Sequence, residues 1–162
     1  MFQSNNWVIE SIIRSSKVDY CHIISTKIEH DSIKECISQH VERSSKSSAV
    51  LKCAKDYNGA VSVDQIIDDI RPTTCLISVI LANNETGVIQ PIREIGLILR
   101  DINVKRIKKG LPKIWFHTDA AQAIGKIGVD VEYMCVDYLT IVGHKVFDLI
   151  FILNYFDYNL YF

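Results

Sequence analysis

The sequence predicts an α/β fold in which a mostly parallel β-sheet is flanked by helices. Segments with strand character alternate along the chain with segments whose apolar residues recur at helical spacing. The run from Leu76 to Leu81 is rich in leucine and β-branched residues, as in a strand buried on both faces. Polar residues follow several predicted strands at their carboxyl ends, where sheets of this kind bind ligands.

The first half of the chain predicts two helices and two strands. Asn5–Arg14 carries apolar residues at helical spacing, and Tyr20–Thr26 has the composition of a strand. Asp31 is suited to cap a helix that continues to about Glu42. A serine-rich loop follows, and Ala49–Ala54 predicts a short strand.

Capping and helix-breaking residues delimit the elements in the second half. Ser62 and Gln65 have the spacing of a capping box, and Pro72 ends the helix that they begin. After the strand Leu76–Leu81, Pro91 is suited to the start of a helix that ends before Gly110.

Two further strands complete the predicted sheet. They are expected at Ile114–His117 and Tyr138–Val142, with a short helix from Ala120 between them. Repeated strand–helix units predict right-handed crossovers between parallel strands.

Length and composition restrict the class of protein. The 162 residues suit a single domain, with 48% hydrophobic and 23% charged residues. The net charge of -1 does not predict a nucleic-acid surface, which is normally basic. No apolar run approaches the roughly 20 residues of a membrane span, so we expect no membrane partner.

The chain has five cysteines and no CxxC pair. Cys21, Cys53 and Cys75 lie in or beside apolar runs, and we expect them to be buried thiols. Unpaired thiols favour a reducing compartment. Without a signal-peptide pattern at the start of the sequence, the expected location is cytoplasmic.

A carboxylate and an amine follow two of the predicted strands. Asp119 comes directly after the apolar run Ile114–Phe116, and Lys145 follows Tyr138–Val142. Pyridoxal 5'-phosphate needs a lysine for its Schiff base and an acid to pair with its ring nitrogen. From spacing alone, two solvated loop residues, or a helix cap at Asp119, remain equally good interpretations.

Three motifs decide between these interpretations. The sequences NNETG at 83–87, HTDAAQ at 117–122 and TIVGHK at 140–145 resemble the cysteine desulfurase and selenocysteine lyase family. These are class V aminotransferase-like enzymes of fold type I, and the resemblance extends from Ser4 to Phe147. It implies that the predicted sheet is part of the large, cofactor-binding domain of such an enzyme.

The resemblance implies a role for each motif residue. Lys145 would bind the cofactor covalently and move protons, while His30 would stack over the ring and act with Lys145 in catalysis. Asp119 would pair with the ring nitrogen.

Three more residues would complete the cofactor site. Gln122 and Asn84 would lie near the phenolic oxygen of the ring, and His144 would help to hold the phosphate. Val142 stands where many cysteine desulfurases have a serine, which favours the selenocysteine lyase branch.

The resemblance also implies a domain assignment. Residues 1–147 would be a partial large domain, 148–162 an aromatic-rich tail without family similarity, and the small C-terminal domain would be absent. The Gly- and Thr-containing phosphate segment would precede Ser4. We therefore expect a fragment with little or no activity, from an enzyme that is a homodimer at full length.

The predicted function is a pyridoxal-phosphate-dependent selenocysteine lyase, which converts selenocysteine to alanine and reduced selenium. A cysteine desulfurase acting on cysteine is the sibling alternative. A truncated product that binds a partner subunit without catalysis is another. A Rossmann-like nucleotide binder is poorly supported because the chain has no GxGxxG or GxxxxGK[ST] motif.

Overall fold

The computed structural model describes residues 2–16, 20–43, 47–52 and 59–142. Helices and strands alternate along these residues. The helices are α1 (Phe2–Ser15), α2 (Asp31–Arg43), α3 (Val63–Asp68), α4 (Ile92–Lys108) and α5 (Val131–Met134). The strands are β1 (Cys21–Thr26), β2 (Ser47–Lys52), β3 (Thr74–Ser78), β4 (Trp115–Asp119) and β5 (Tyr138–Thr140).

The five strands form one sheet in the order β2-β1-β3-β4-β5. Every neighbouring pair is parallel, which confirms the predicted α/β class. Backbone bonds continue past the strands at the carboxyl edge, where the Leu81 amide donates to the Asp119 carbonyl at 2.9 Å. The Ala120 amide donates to the Thr140 carbonyl at 2.8 Å. The ends of β4 and β5 therefore meet at the same edge of the sheet.

Each face of the sheet has its own apolar core. Helices α1 and α2 cover one face with a cluster that includes Ile9, Ile12, Ile33, Ile37 and Leu76. Helices α3, α4 and α5 cover the other with a cluster that includes Ile66, Ile95, Leu99, Phe116 and Met134. Burial on both faces agrees with the apolar character of the central strands.

The structure confirms most of the predicted elements, but one predicted helix is wrong. The capping interaction before α3 is confirmed, since Ser62 Oγ accepts from the Gln65 amide at 3.4 Å. The helix expected from Ala120 is absent, and residues 121–126 form turns. Gly125 has a φ of 77°, which no right-handed helix accommodates. The short helix α5 was not predicted.

The expectation of free thiols is wrong for two cysteines. Cys21 on β1 and Cys75 on β3 form a disulfide, with their Cα atoms 5.9 Å apart. Both are buried, as expected, and a neighbouring pair of strands brings them together. Cys36 is a buried free thiol, and Cys53 lies outside the described residues.

Helix α4 is fixed at both ends by close backbone contacts. A Cβ on Gly96 would overlap the carbonyl oxygen of Met134, so this glycine lets α4 approach α5. The buried guanidinium of Arg106 donates to four backbone carbonyls, those of Arg71, Pro72, Thr74 and Pro112. These bonds tie the C-terminal part of α4 to the segment that leads into β3.

Candidate active site

Asp119 ends β4 and is buried, with 1% of its surface exposed. Its Oδ1 accepts from the Ala121 amide at 2.9 Å, and its Oδ2 accepts from Asn5 Nδ2 at 3.0 Å. Both donors are neutral. Among the described residues, no lysine, arginine or histidine forms an ion pair with this carboxylate. Buried carboxylates are normally paired with a positive charge, so the site is suited to a cationic partner.

The NNETG motif forms a turn that Asn83 organises. Asn83 Oδ1 accepts from the amides of Glu85 and Thr86, at 3.0 and 2.9 Å. Its Nδ2 donates to the Ile28 carbonyl, and Gly87 takes a φ of 72°, where glycine is favoured. The first asparagine is thus structural, while the second, the predicted site residue Asn84, is exposed at the tip of the turn.

A cavity of about 250 Å³ brings two predicted site residues together. Asn84 lines it from the turn after β3, and Gln122 lines it from the turn after β4. Gln122 Oε1 also accepts from Lys126 Nζ at 3.2 Å. Neither Asp119 nor His30 lines this cavity, so it joins two of the four predicted site residues that the structure describes.

His30 lies directly before α2 and is half-buried. Its Nδ1 accepts from the Ser32 backbone amide at 3.1 Å and contacts Ser32 Oγ at 2.9 Å. A backbone amide can only donate, so Nδ1 is an acceptor and the neutral ring carries its proton on Nε2. A chain of hydrogen bonds through Ser32 and Asn5 connects this histidine with Asp119.

Asn5 and Ser32 were missed by the sequence-based predictions. Asn5 lies four residues before Ile9 and seven before Ile12, so it belongs to the buried stripe of α1. A polar residue within an apolar stripe is a signal that the sequence carried. Ser32 carries no comparable signal, because a serine in a first helical turn is common.

A second buried carboxyl group lies beside the site. Glu29 Oε1 accepts from Thr26 Oγ1 at 2.6 Å and from the Ile80 amide at 2.8 Å, while Oε2 has no partner among the described residues. Burial raises the pKa of Glu29 to about 8, and the charge of Asp119 contributes in the same direction. Glu29 is therefore mostly protonated at neutral pH.

His117 in the HTDAAQ motif is structural. The ring nitrogens lie 2.9 Å from Ser78 Oγ and 3.0 Å from Thr140 Oγ1, which ties β4 to both neighbouring strands. Burial lowers the pKa of His117 to about 4, although the nearby Asp119 acts against this shift. A neutral imidazole leaves the negative charge of Asp119 without compensation from this side.

Lys145 and His144 lie outside the described residues, the last of which is Val142. The predictions for both therefore remain untested, as does the assignment of 148–162 to a separate tail. Thr140, which begins the TIVGHK motif, lies beside Asp119 in the ladder between β4 and β5.

Comparisons with known proteins agree with this architecture. The profile described as "Aminotransferase class-V" matches residues 3–148. The chain belongs to the class V aminotransferase family. Members of this family of the selenocysteine lyase and cysteine desulfurase type depend on pyridoxal phosphate. The recognition made from the three motifs is thereby confirmed.

Individual relatives carry two kinds of name. Selenocysteine lyase from Xenopus laevis is 43% identical over 157 residues, which cover 90% of this chain and 37% of that protein. Mitochondrial cysteine desulfurase from Saccharomyces cerevisiae is 41% identical and covers 90% of this chain and 27% of that protein. The solved structure "SspA in complex with cysteine" has a TM-score of 0.75 and 32% identity, covering 90% of this chain and 38% of that chain.

The chain thus spans about a third of the length of the relatives that it matches. Within the described residues, no helix is both long and apolar enough to cross a membrane. The same residues contain no cluster of three or more His, Cys, Asp or Glu side chains that could hold a metal ion.

Proposed function

We propose that this chain provides the ring-binding side of the active site in a pyridoxal-phosphate-dependent enzyme that acts on selenocysteine. The observation that carries this proposal is the buried Asp119 carboxylate, which has only neutral hydrogen-bond donors among the described residues. The protonated ring nitrogen of the cofactor is a cation that would complete this site. When bound, the cofactor withdraws electrons from the α-carbon of an amino acid.

Each residue has a defined part in the proposal. Asp119 would keep the ring nitrogen protonated. Gln122 and Asn84, which line one cavity, would hydrogen-bond near the phenolic oxygen. His30 supplies a ring for stacking and a proton on Nε2. Lys145 attaches the cofactor and moves the proton at the α-carbon, and His144 helps to hold the phosphate.

Selenocysteine is the preferred substrate in this proposal for two reasons. The two Xenopus relatives named selenocysteine lyase are 43% and 45% identical to the chain, above the 41% of the yeast cysteine desulfurase. In addition, Val142 matches the apolar residue expected for that branch. Cysteine is the second candidate, because the yeast relative is named a cysteine desulfurase and SspA was solved with cysteine.

The test is to trap the cofactor on the chain. The purified chain is mixed with pyridoxal phosphate and reduced with borohydride, and the modified peptide is identified by mass spectrometry. We expect modification at Lys145 and its loss in Lys145→Ala. Lys126→Ala is the matched control, since Lys126 lies at the cavity shared by Asn84 and Gln122. Modification spread over surface lysines, unchanged by Lys145→Ala, would refute the proposal.

Substrate choice is tested by alanine release from selenocysteine and from cysteine. Little or no turnover by this chain alone remains our expectation, and alanine release at the rate of a full-length relative would contradict it. Homodimer formation and a cytoplasmic location also remain predictions, which sedimentation and fractionation would check.

A further inference from the structure

Two polar side chains connect Asp119 with His30 beneath the proposed site. Asn5 Nδ2 donates to Asp119 Oδ2 at 3.0 Å and to Ser32 Oγ at 2.9 Å. Ser32 Oγ lies 2.9 Å from His30 Nδ1. The connection joins three elements, since Asn5 belongs to α1, Ser32 to α2 and Asp119 to β4.

The Ser32 backbone amide sets the direction of the hydrogen bonds between His30 and Asp119. The Ser32 backbone amide makes His30 Nδ1 an acceptor, so the Ser32 hydroxyl donates to that nitrogen. The hydroxyl oxygen therefore accepts from Asn5. The two hydrogens of the Asn5 amide are then both used, one on Ser32 and one on Asp119.

Asn5 occupies an unfavourable place for an amide that only packs. It is fully buried on the apolar stripe of α1, and its Oδ1 has no hydrogen-bond partner among the described residues. Turning the amide over would bring Oδ1 against Asp119 Oδ2, so that two acceptors face each other. The side chain is thus held in the orientation that uses both donors at the expense of its acceptor.

We propose that Asn5 is a positioning residue that orients the Asp119 carboxylate for the cofactor's ring nitrogen, with Ser32 holding Asn5 in place. This inference rests on the proposed function. The Ala121 amide fixes Oδ1 of Asp119, and Asn5 fixes Oδ2. Two donors define the plane of the carboxylate, whereas one donor alone lets it rotate. Without Asn5, Oδ2 has no donor among the described residues.

The test compares two ligands that differ at one atom. Binding of pyridoxal phosphate is measured by titration calorimetry beside an analogue in which a C–H group replaces the ring nitrogen. Wild type should prefer pyridoxal phosphate, because only that ligand pairs with Asp119. Asn5→Ala should reduce this preference about tenfold, the equivalent of one hydrogen bond to a charged group.

Two further variants locate the effect. Asp119→Ala should abolish the preference, and adding Asn5→Ala to it should change nothing further, because Asn5 acts through Asp119. Gln3→Ala, an exposed change on the same helix, should leave the preference within about twofold of wild type. Thermal unfolding of each variant establishes that it is folded.

Each outcome decides the matter. If wild type shows no preference between the ligands, the proposed function fails and this inference fails with it. If wild type shows the preference and Asn5→Ala keeps it, or loses affinity for both ligands equally, only the inference is overturned. If Asn5→Ala does not fold, Ser32→Ala decides, with an expected loss of about threefold in preference and an unchanged preference as the refuting result.

Discussion

Replacing Glu29 by glutamine should change how the stability of the protein depends on pH. The folded protein holds a proton on Glu29 up to a pKa of about 8, whereas the unfolded chain releases it near 4.5. The folded state therefore binds more protons between these values, and its stability falls as pH rises through this window. Above about pH 8 the full loss is present.

The size of the loss follows from the two pKa values. At about 1.4 kcal/mol per unit, the difference between 4.5 and about 8 corresponds to roughly 3 to 5 kcal/mol. Glutamine has no charge to bury and keeps an acceptor for the Thr26 hydroxyl and the Ile80 amide. Its amide hydrogens occupy the place of Oε2, which has no partner among the described residues, at a cost of about 1 to 3 kcal/mol at every pH.

The assay is urea unfolding of both proteins, followed by circular dichroism from pH 5 to pH 9. We expect Glu29→Gln to be slightly less stable than wild type at pH 5 and more stable at pH 9. Burial lowers the pKa of both His22 and His117 to about 4, so stability is lost as pH falls from 6.5 toward 4. These histidines titrate in both proteins, and the difference between the two curves isolates Glu29.

The matched control is Glu35→Gln, which removes an exposed carboxylate from α2. Its stability should differ from wild type by less than about 0.5 kcal/mol across the range. The reasoning is refuted if the difference in unfolding free energy between Glu29→Gln and wild type stays constant from pH 5 to pH 9. Glu29 would then have the same pKa in the folded and the unfolded protein.

Three other changes test the packing around the sheet. Gly96→Ala should destabilise the fold by about 1 to 3 kcal/mol because its methyl group would overlap the backbone of α5, while Gly128→Ala, with open space around it, should be near neutral by urea unfolding. Arg106→Met should cost about 3 kcal/mol, since buried carbonyls would lose their donors; equal midpoints would contradict this. Reducing the bond between Cys21 and Cys75, which closes a separation of 54 residues, should cost about 4 kcal/mol, and a double alanine variant should no longer respond to reductant.

Local patterns predicted the elements well where one physical effect dominates. The capping residues before α3 and the spaced isoleucines and leucines of α4 act over three or four positions, and both elements occur as expected. The failure after Ala120 is also local. Gly125 adopts a positive φ there, a conformation that glycine tolerates and that a right-handed helix excludes.

The candidate site was partly predictable for a different reason. Asp119 ends a strand of the parallel sheet, and Gln122 and Asn84 follow strands of it. Carboxyl ends of parallel strands meet at one edge. Asn5 is 114 residues from Asp119 in sequence, so its contact with that carboxylate depends on how α1 packs on the sheet. Glu29 looked like an ordinary polar residue because its burial comes from the elements around it.

The sequence by itself determined the alternation of strands and helices, the capped ends and the motifs that identify the family, since these depend on neighbours along the chain. Only the tertiary structure decided which distant groups share a buried environment. It placed β1 beside β3, which joins Cys21 to Cys75, and it enclosed Asp119 with Asn5. Strand order and helix packing control desolvation and hydrogen bonding at these positions, and neither is encoded by local spacing.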